Sequence, residues 1–116
     1  MEDNHLPLKD KKHSGIILNV SSNSFDKRSV AFGSIFTNKD DPRSVFLFYS
    51  GAPDTRWSRS AIGLAVSNDA IKFRKIESNP ILEGTPQSFC YKEARTPTVT
   101  RVSNRFYMIF SGMPSS

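Results

Sequence analysis

The chain contains an internal repeat, in which residues 17–51 match residues 81–112. The offset between the two copies is 64 residues at their start and 61 at their end, so the second copy lacks three residues at the place of Asp40-Asp41-Pro42. Such deletions are typical of turns. A fixed offset between similar segments indicates stacked copies of one supersecondary unit. The matching segments are Ile17-Leu18 with Ile81-Leu82, Ser24-Phe25 with Ser88-Phe89, Gly33-Ser34-Ile35 with Pro97-Thr98-Val99, and Phe48-Tyr49-Ser50-Gly51 with Ile109-Phe110-Ser111-Gly112.

The apolar segments are short and rich in β-branched and aromatic residues, which favours strands over helices. An aromatic content of 11%, with nine Phe, argues against disorder. The polar connections Asn38–Pro42, Ser67–Asp69 and Ser103–Asn104 have the composition of turns between antiparallel strands. The predicted fold class is therefore all-β. The predicted strands are Ile16–Val20, Val30–Thr37, Val45–Ser50, Ala61–Ser67, Ile71–Ile76, Thr98–Val102 and Phe106–Ser111.

A repeating unit of about 60 residues with four antiparallel strands is typical of a β-propeller blade. The strands predict one full blade from Val30 to Leu82 and half of the next, with Ile16–Val20 as the outer strand of a preceding blade. We expect a polar leader over residues 1–14 and a partial propeller of about two blades over residues 15–116. Because open strand edges favour pairing with another chain, we expect either a homo-oligomer or a truncated ring.

Composition restricts the partners of the chain. The formal net charge of +5 is spread along the sequence, which disfavours a nucleic-acid surface. No apolar segment approaches the roughly 18 residues of a membrane span. Cys90 is the sole cysteine, and His5 and His13 are too isolated to form a metal site. We expect no metal, cofactor, nucleic acid or membrane partner, and a cytoplasmic location, or secretion if a signal peptide was removed.

The blade sequences resemble the five-bladed propeller glycoside hydrolases and phosphorylases, the group that includes families 32, 43 and 130. The resemblance covers residues 16–112 and implies a propeller whose ligands are glycosides. It does not decide between activities, because blades of this type occur in several of them. The segments that carry the resemblance are Phe46–Gly51, Ile62–Phe73, Asn79–Leu82, Glu93–Val99 and Arg105–Gly112.

The alternating direction of the strands predicts that the connections lie at two opposite ends of the sheets. Asp40, Asp41 and Asp69 belong to the hairpin turns at one end, where Asp side chains stabilise turns. The candidate functional residues belong to the other end, at the entrance of a central channel if the ring is completed. These candidates are Asp26, Asp54, Arg56, Trp57, Glu93 and Arg95.

Glycoside hydrolysis typically uses two carboxyl groups in one cleft. Glu93, directly before an innermost strand, is the candidate general acid, and Asp26 and Asp54 are the other candidate catalytic residues. A structural ion pair for Glu93, and loop capping or ordinary solvated charge for the two aspartates, are the alternatives.

Three further residues are candidates for substrate binding. Arg95 and Arg56 carry guanidinium groups that suit a hydroxyl-rich or anionic ligand, and Trp57 offers an apolar face to a sugar ring. A structural role is the alternative here too, with Arg95 in an ion pair and Trp57 as a packing cap.

Two departures from the family pattern argue against activity of the chain alone. Thr96 stands directly before Pro97, where the related hydrolases often have an acidic residue. The family also places three carboxylates on three blades, and this chain supplies at most two blade openings. Three functions therefore remain open: a fragment of a glycoside hydrolase or phosphorylase completed by assembly, a non-catalytic carbohydrate-binding module, and an interaction protein that pairs through strand edges.

Overall fold

The computed structural model describes residues 17–57, 59–84 and 93–113, and within these ranges the chain consists of strands and loops. No helix there has the length and hydrophobicity to cross a membrane. The predicted all-β fold is confirmed, whereas the leader predicted over residues 1–14 lies outside the described residues. The six strands are β1 (Ser29–Asn38), β2 (Asp41–Ala52), β3 (Ala61–Ser67), β4 (Arg74–Lys75), β5 (Glu93–Val102) and β6 (Arg105–Met113).

The first four strands form one antiparallel sheet in the order β1-β2-β3-β4. A four-stranded sheet in which each strand pairs with its neighbour in sequence is the unit of a propeller blade. The remaining strands, β5 and β6, form an antiparallel hairpin that corresponds to the first half of a second blade. The structure is thus a partial propeller. The predicted strands at Val30–Thr37, Val45–Ser50, Ala61–Ser67, Thr98–Val102 and Phe106–Ser111 all lie within these elements.

Strand β4 covers only Arg74–Lys75, which is shorter than the predicted strand at Ile71–Ile76. The turn before it explains the difference. The Oδ1 atom of Asp69 accepts hydrogen bonds from the backbone N–H groups of Ile71 and Lys72, each at 2.9 Å. Because the turn uses these two donors, they cannot pair with β3.

The strand predicted at Ile16–Val20 does not form over residues 17–20, and Ile16 lies outside the described residues. The backbone N–H of Val20 donates to the Asn19 Oδ1 atom at 2.9 Å, and the Asn19 carbonyl accepts a hydrogen bond from Lys75 Nζ. Side chains therefore satisfy backbone groups that a strand would use for pairing. The prediction of an outer strand is wrong for this segment.

The two hairpins share one pairing register. The offsets of 64 and 61 residues that relate the two copies in sequence also relate their paired positions, and each hairpin has a β-bulge at the matching place. The three additional residues of the first hairpin are 42–44, not the predicted Asp40-Asp41-Pro42. They lie in β2 and not in the two-residue turn Lys39–Asp40, so the prediction that the turn holds them is wrong. The pair Ser29 and Ala52 in the first hairpin matches the pair Glu93 and Met113 in the second. The bulge between Ala31 and Ser34 matches the bulge between Arg95 and Thr98.

The first sheet is covered on both faces. One face packs against the segment before β1 and the loop before β4, and the other packs against the β5-β6 hairpin. The first core consists of Leu47, Tyr49 and Ala65, with Leu18, Phe25, Val30 and Phe73 packed against it. The second core consists of Ile62 and Ala94, with Leu82, Met108 and Phe110 packed against it.

The bulge in β5 changes which side chains face the first sheet. Before the bulge, Ala94 packs against Ile62, so strand alternation directs Glu93 and Arg95 to the opposite side. After the bulge, the next buried residue is Pro97, three positions after Ala94 rather than two, so the alternation of buried side chains is shifted by one residue. The inserted residue thus allows one end of β5 to present charged side chains while the rest of the strand remains in contact with the first sheet.

We expect Asp69→Asn to lower the melting temperature at neutral pH. Hydrogen bonds from the backbone N–H groups of Lys72 and Ile71 and from the Ser67 hydroxyl lower the pKa of the Asp69 carboxyl below its ordinary value of 3.8. A lowered folded-state pKa stabilises the fold above the unfolded value, and this contribution disappears as the pH falls through the folded value. Melting temperatures measured from pH 7 to pH 2 should therefore converge for the parent and the variant. Glu77→Gln, at an exposed position, is the control, and a difference that persists unchanged at pH 2 would contradict the assignment.

Candidate functional site

The predicted candidate residues lie at one end of the two sheets, which we call the site end. Here β1 and β5 begin and β2 and β6 end, since Ser29 pairs with Ala52 and Glu93 with Met113. The backbone N–H of Ala94 donates to the Ser60 carbonyl at 2.9 Å, which joins the loop between β2 and β3 to the start of β5. Connections from both blades therefore meet at this end.

Glu93 and Arg95 form an ion pair at the start of β5. The distance from Arg95 Nε to Glu93 Oε1 is 2.8 Å, and the Glu93 side chain is 9% exposed while that of Arg95 is 31% exposed. Because the two residues are two positions apart on a strand, they project to the same side. Oε2 of Glu93 accepts no hydrogen bond from the described residues.

Asp26 lies in a different environment, on the face of the first sheet that contains Tyr49. Its side chain is fully buried, and its Oδ2 atom accepts a hydrogen bond from the Tyr49 hydroxyl at 2.9 Å and forms an ion pair with Lys75 Nζ at 2.7 Å. Burial raises the pKa of Tyr49, and the hydrogen bond and charge of Asp26 raise it further. The Tyr49 hydroxyl consequently keeps its proton and donates a hydrogen bond to Asp26 throughout the physiological pH range.

The first sheet separates Asp26 from the β5 strand. Tyr49, the partner of Asp26, and Ser50, which accepts a hydrogen bond from the Thr96 N–H at 2.7 Å, are adjacent in β2 and project to opposite faces. Gly51 allows Asp26 to approach the sheet, because a Cβ atom there would overlap the Asp26 Cβ and lie 2.7 Å from Phe25 Cε2. The ion pair with Lys75 explains the burial of Asp26 without catalysis, and a catalytic role for Asp26 stays a prediction.

Asp54, Arg56 and Trp57 lie in the loop between β2 and β3. The Asp54 Oδ1 atom accepts a hydrogen bond from the Arg56 backbone N–H at 3.0 Å, which closes a local turn. The Ser29 hydroxyl donates to the Asp54 carbonyl at 3.1 Å and holds the loop against β1. Arg56 is exposed, and the half-buried Trp57 has a left-handed backbone with a φ of 61°. The loop thus brings a carboxylate, a guanidinium group and an indole to the site end.

The comparison with family models agrees with this geometry. The model of the glycosyl hydrolases family 32 N-terminal domain matches residues 8–114. The chain belongs to this family. Neither the curated proteins nor the solved structures gave a match. The resemblance to propeller glycoside hydrolases that the blade sequences indicated is therefore confirmed.

In this family 32 domain, Thr96 occupies a strained position in the β5 bulge. Its φ of 54° is unfavourable for a β-branched residue, and three hydrogen bonds hold it. Besides the bond from its N–H to Ser50, its hydroxyl contacts the Ser111 hydroxyl at 2.8 Å and the Arg95 carbonyl at 2.6 Å. Backbone strain of this kind is concentrated at functional sites. The sequence shows that Thr96 stands where related hydrolases often have an acidic residue, and the structure adds its strained conformation.

Lys75 and Ser60 were absent from the sequence-based candidates. Lys75 is 49 residues from Asp26 and resembles an ordinary surface lysine in sequence, so no local signal identifies it as the partner. Ser60 is 2% exposed, and its hydroxyl has no hydrogen-bond partner within the described part of the chain. That part of the chain also contains no group of three or more potential metal ligands.

We expect Lys75→Met to destabilise the domain by about 3 kcal/mol, because the substitution leaves a buried carboxylate without its partner charge. Chemical denaturation of the parent and the variant measures this difference. The double variant Asp26→Asn with Lys75→Met should recover part of the loss, since it also removes the buried charge. If the single and double variants were equally unstable, the ion pair would not be what stabilises this region.

Proposed function

We propose that this family 32 domain binds glycosides at the site end and that Glu93 is the general acid for cleavage of the glycosidic bond. The observation that carries the proposal is the burial of Glu93 at the start of the innermost strand, where its side chain is 9% exposed and lies beside a guanidinium group that can bind the substrate. In this role, Glu93 would donate a proton to the glycosidic oxygen as the bond from that oxygen to the sugar breaks.

Cleavage also requires a second carboxylate to activate water, or to attack the sugar carbon directly, and phosphate would replace water in a phosphorylase. Asp54 is our candidate for this role within the chain, since its loop reaches the site end. Arg95 and Arg56 are proposed to bind sugar hydroxyl groups, and Trp57 to pack against the apolar face of a ring. Further carboxylates from other blades would complete the site.

A non-catalytic carbohydrate-binding module is the alternative within the same site. Two observations favour it. Thr96 supplies a hydroxyl where the related hydrolases often have a carboxylate, and Asp26 is already paired with Lys75. Both features reduce the number of carboxylates available for catalysis, while Arg95, Arg56 and Trp57 retain groups that suit sugar binding.

The test combines turnover with sugar binding. Aryl glycosides are incubated with the domain, with and without phosphate, and compared with Glu93→Gln; loss of a general acid should lower turnover by about 100-fold or more. Glu77→Gln, which is exposed, controls for the loss of a carboxylate elsewhere. Equal turnover by the parent and Glu93→Gln would refute the acid assignment. Retention on a glycan array without turnover would identify the binding module, and neither turnover nor retention would overturn both.

A second function, pairing with another chain, is favoured by β6. Among the described residues, this strand pairs with β5 alone. Its outward side chains are exposed, Ile109 by 71% and Tyr107 by 47%. A long apolar edge strand of this kind is a template for pairing with another strand. We propose that the domain forms homo-oligomers through this edge.

The mass in solution tests this proposal. The parent should be larger than one chain at micromolar concentration, and Ile109→Lys should shift it toward the monomer because a charge on the edge strand opposes pairing. Ile71→Lys, in the exposed loop before β4, introduces the same charge elsewhere and should leave the mass unchanged. A parent that is monomeric at every concentration, or two variants with the same effect, would contradict pairing through β6.

A further inference from the structure

A cleft of about 460 Å³ lies between the tips of the two hairpins, at the end of the sheets opposite to Glu93. It lies where the innermost strands of the two blades, β1 and β5, finish, and it is separate from the residues proposed to bind glycosides. Its lining combines one aromatic ring, two basic side chains and three hydroxyl-bearing residues. The lining residues are Phe36, Thr37 and Lys39 from the first hairpin and Thr100, Arg101 and Ser103 from the second.

The guanidinium group of Arg101 is held in place at this cleft. Its Nε atom donates to the Ser103 carbonyl at 2.9 Å, and its Nη1 atom donates to Asn38 Oδ1 at 3.3 Å. The group also lies 5.9 Å from the centre of the Phe106 ring, which is within the range of a cation–π contact. Nη2 donates no hydrogen bond to any described residue. An arginine that is already oriented loses little conformational entropy when it binds a ligand.

Asp40 is the local competitor for this guanidinium group. Its Oδ2 atom lies 3.4 Å from Arg101 Nη1, and its side chain is 70% exposed. An exposed ion pair at this distance contributes little stability, so an incoming anion can replace it. Lys39, next to Asp40 in the turn, is exposed and forms no ion pair with a described residue, which leaves the cleft with an excess of positive charge.

We propose that this cleft binds an oxyanion carried by a ligand of the size of a sugar, through Arg101 and Lys39. A carboxylate, phosphate or sulfate group would pair with the planar guanidinium group. The hydroxyl groups of Thr37, Thr100 and Ser103 would bond to ligand hydroxyls, and Phe36 would pack against the apolar part of the ligand. The site lies apart from Glu93 and is independent of the glycoside-binding role proposed above.

The experiment is a titration of the complete chain with glucuronate, glucose, inorganic phosphate and inorganic sulfate, followed by calorimetry or by amide chemical shifts. Glucuronate should bind and glucose should not. Lys39→Met and Arg101→Gln should each weaken glucuronate binding by about tenfold, the value of one charge-assisted hydrogen bond. Asp40→Asn should strengthen binding, because it removes the competing carboxylate. Lys27→Met removes the same charge at the site end and should have no effect.

The variants separate a specific site from general attraction of anions to a basic protein. Lys39 is exposed in its turn, so we expect Lys39→Met to keep the fold and the test to stay valid if Arg101→Gln unfolds. Equal weakening by Lys39→Met and Lys27→Met, no effect of Asp40→Asn, or no binding of any anion would overturn the proposal. Phosphate or sulfate binding as tightly as glucuronate would support the oxyanion site and identify the free anion as sufficient for recognition.

Discussion

The β-bulge in β5 is the constraint on which the arrangement of this domain depends. In a regular strand, Arg95 and Val99 would project to the same side of the strand. Arg95 could then not face away from the first sheet while Val99 contacts it. The bulge reverses this alternation between Arg95 and Thr98. Its cost includes the left-handed backbone of Thr96, which is compensated by hydrogen bonds to Ser50 and Ser111. The first hairpin has a bulge at the matching position, so both innermost strands contain the same irregularity.

The environment of each carboxylate follows from the sheet to which it is attached. Asp26 is on the face with the larger core and is buried fully, so its charge requires Lys75 and its hydrogen bond requires Tyr49. Glu93 is on the second blade, where Arg95, two positions later on the same strand, provides the partner. Asp26 is therefore paired with a residue distant in sequence, and this pairing connects the segment before β1 with β2 and β4. Glu93, in contrast, is paired with a residue of its own strand.

Much of the fold could be predicted because it depends on local patterns. The strands at Ala61–Ser67 and Phe106–Ser111 follow from β-branched and aromatic residues between turn residues. In these segments the tertiary contacts agree with the local preference for a strand. The predictions for Ile71–Ile76 and Ile16–Val20 were wrong or incomplete because side chains of Asp69 and Asn19 bind backbone N–H groups that the strands would need. The partner of Asp26 was not predicted, since a Lys 49 residues away has no signature in a single sequence.

The charged groups at the start of β5 and in the cleft at the opposite end are paired differently, and this difference bears on what each place can bind. At the site end, Arg95 neutralises Glu93, and Thr96 adds a neutral hydroxyl beside them, so the innermost strand presents hydroxyl and charge-paired groups that suit an uncharged sugar. In the cleft at the opposite end, the charged lining residues Arg101 and Lys39 are both basic and Asp40 pairs with Arg101 alone, which favours an anion. An acidic residue at position 96 would have placed a second carboxylate on the strand that carries Glu93. The hydroxyl of Thr96 avoids repulsion between two neighbouring carboxylates, and Arg95 can then pair with Glu93 alone.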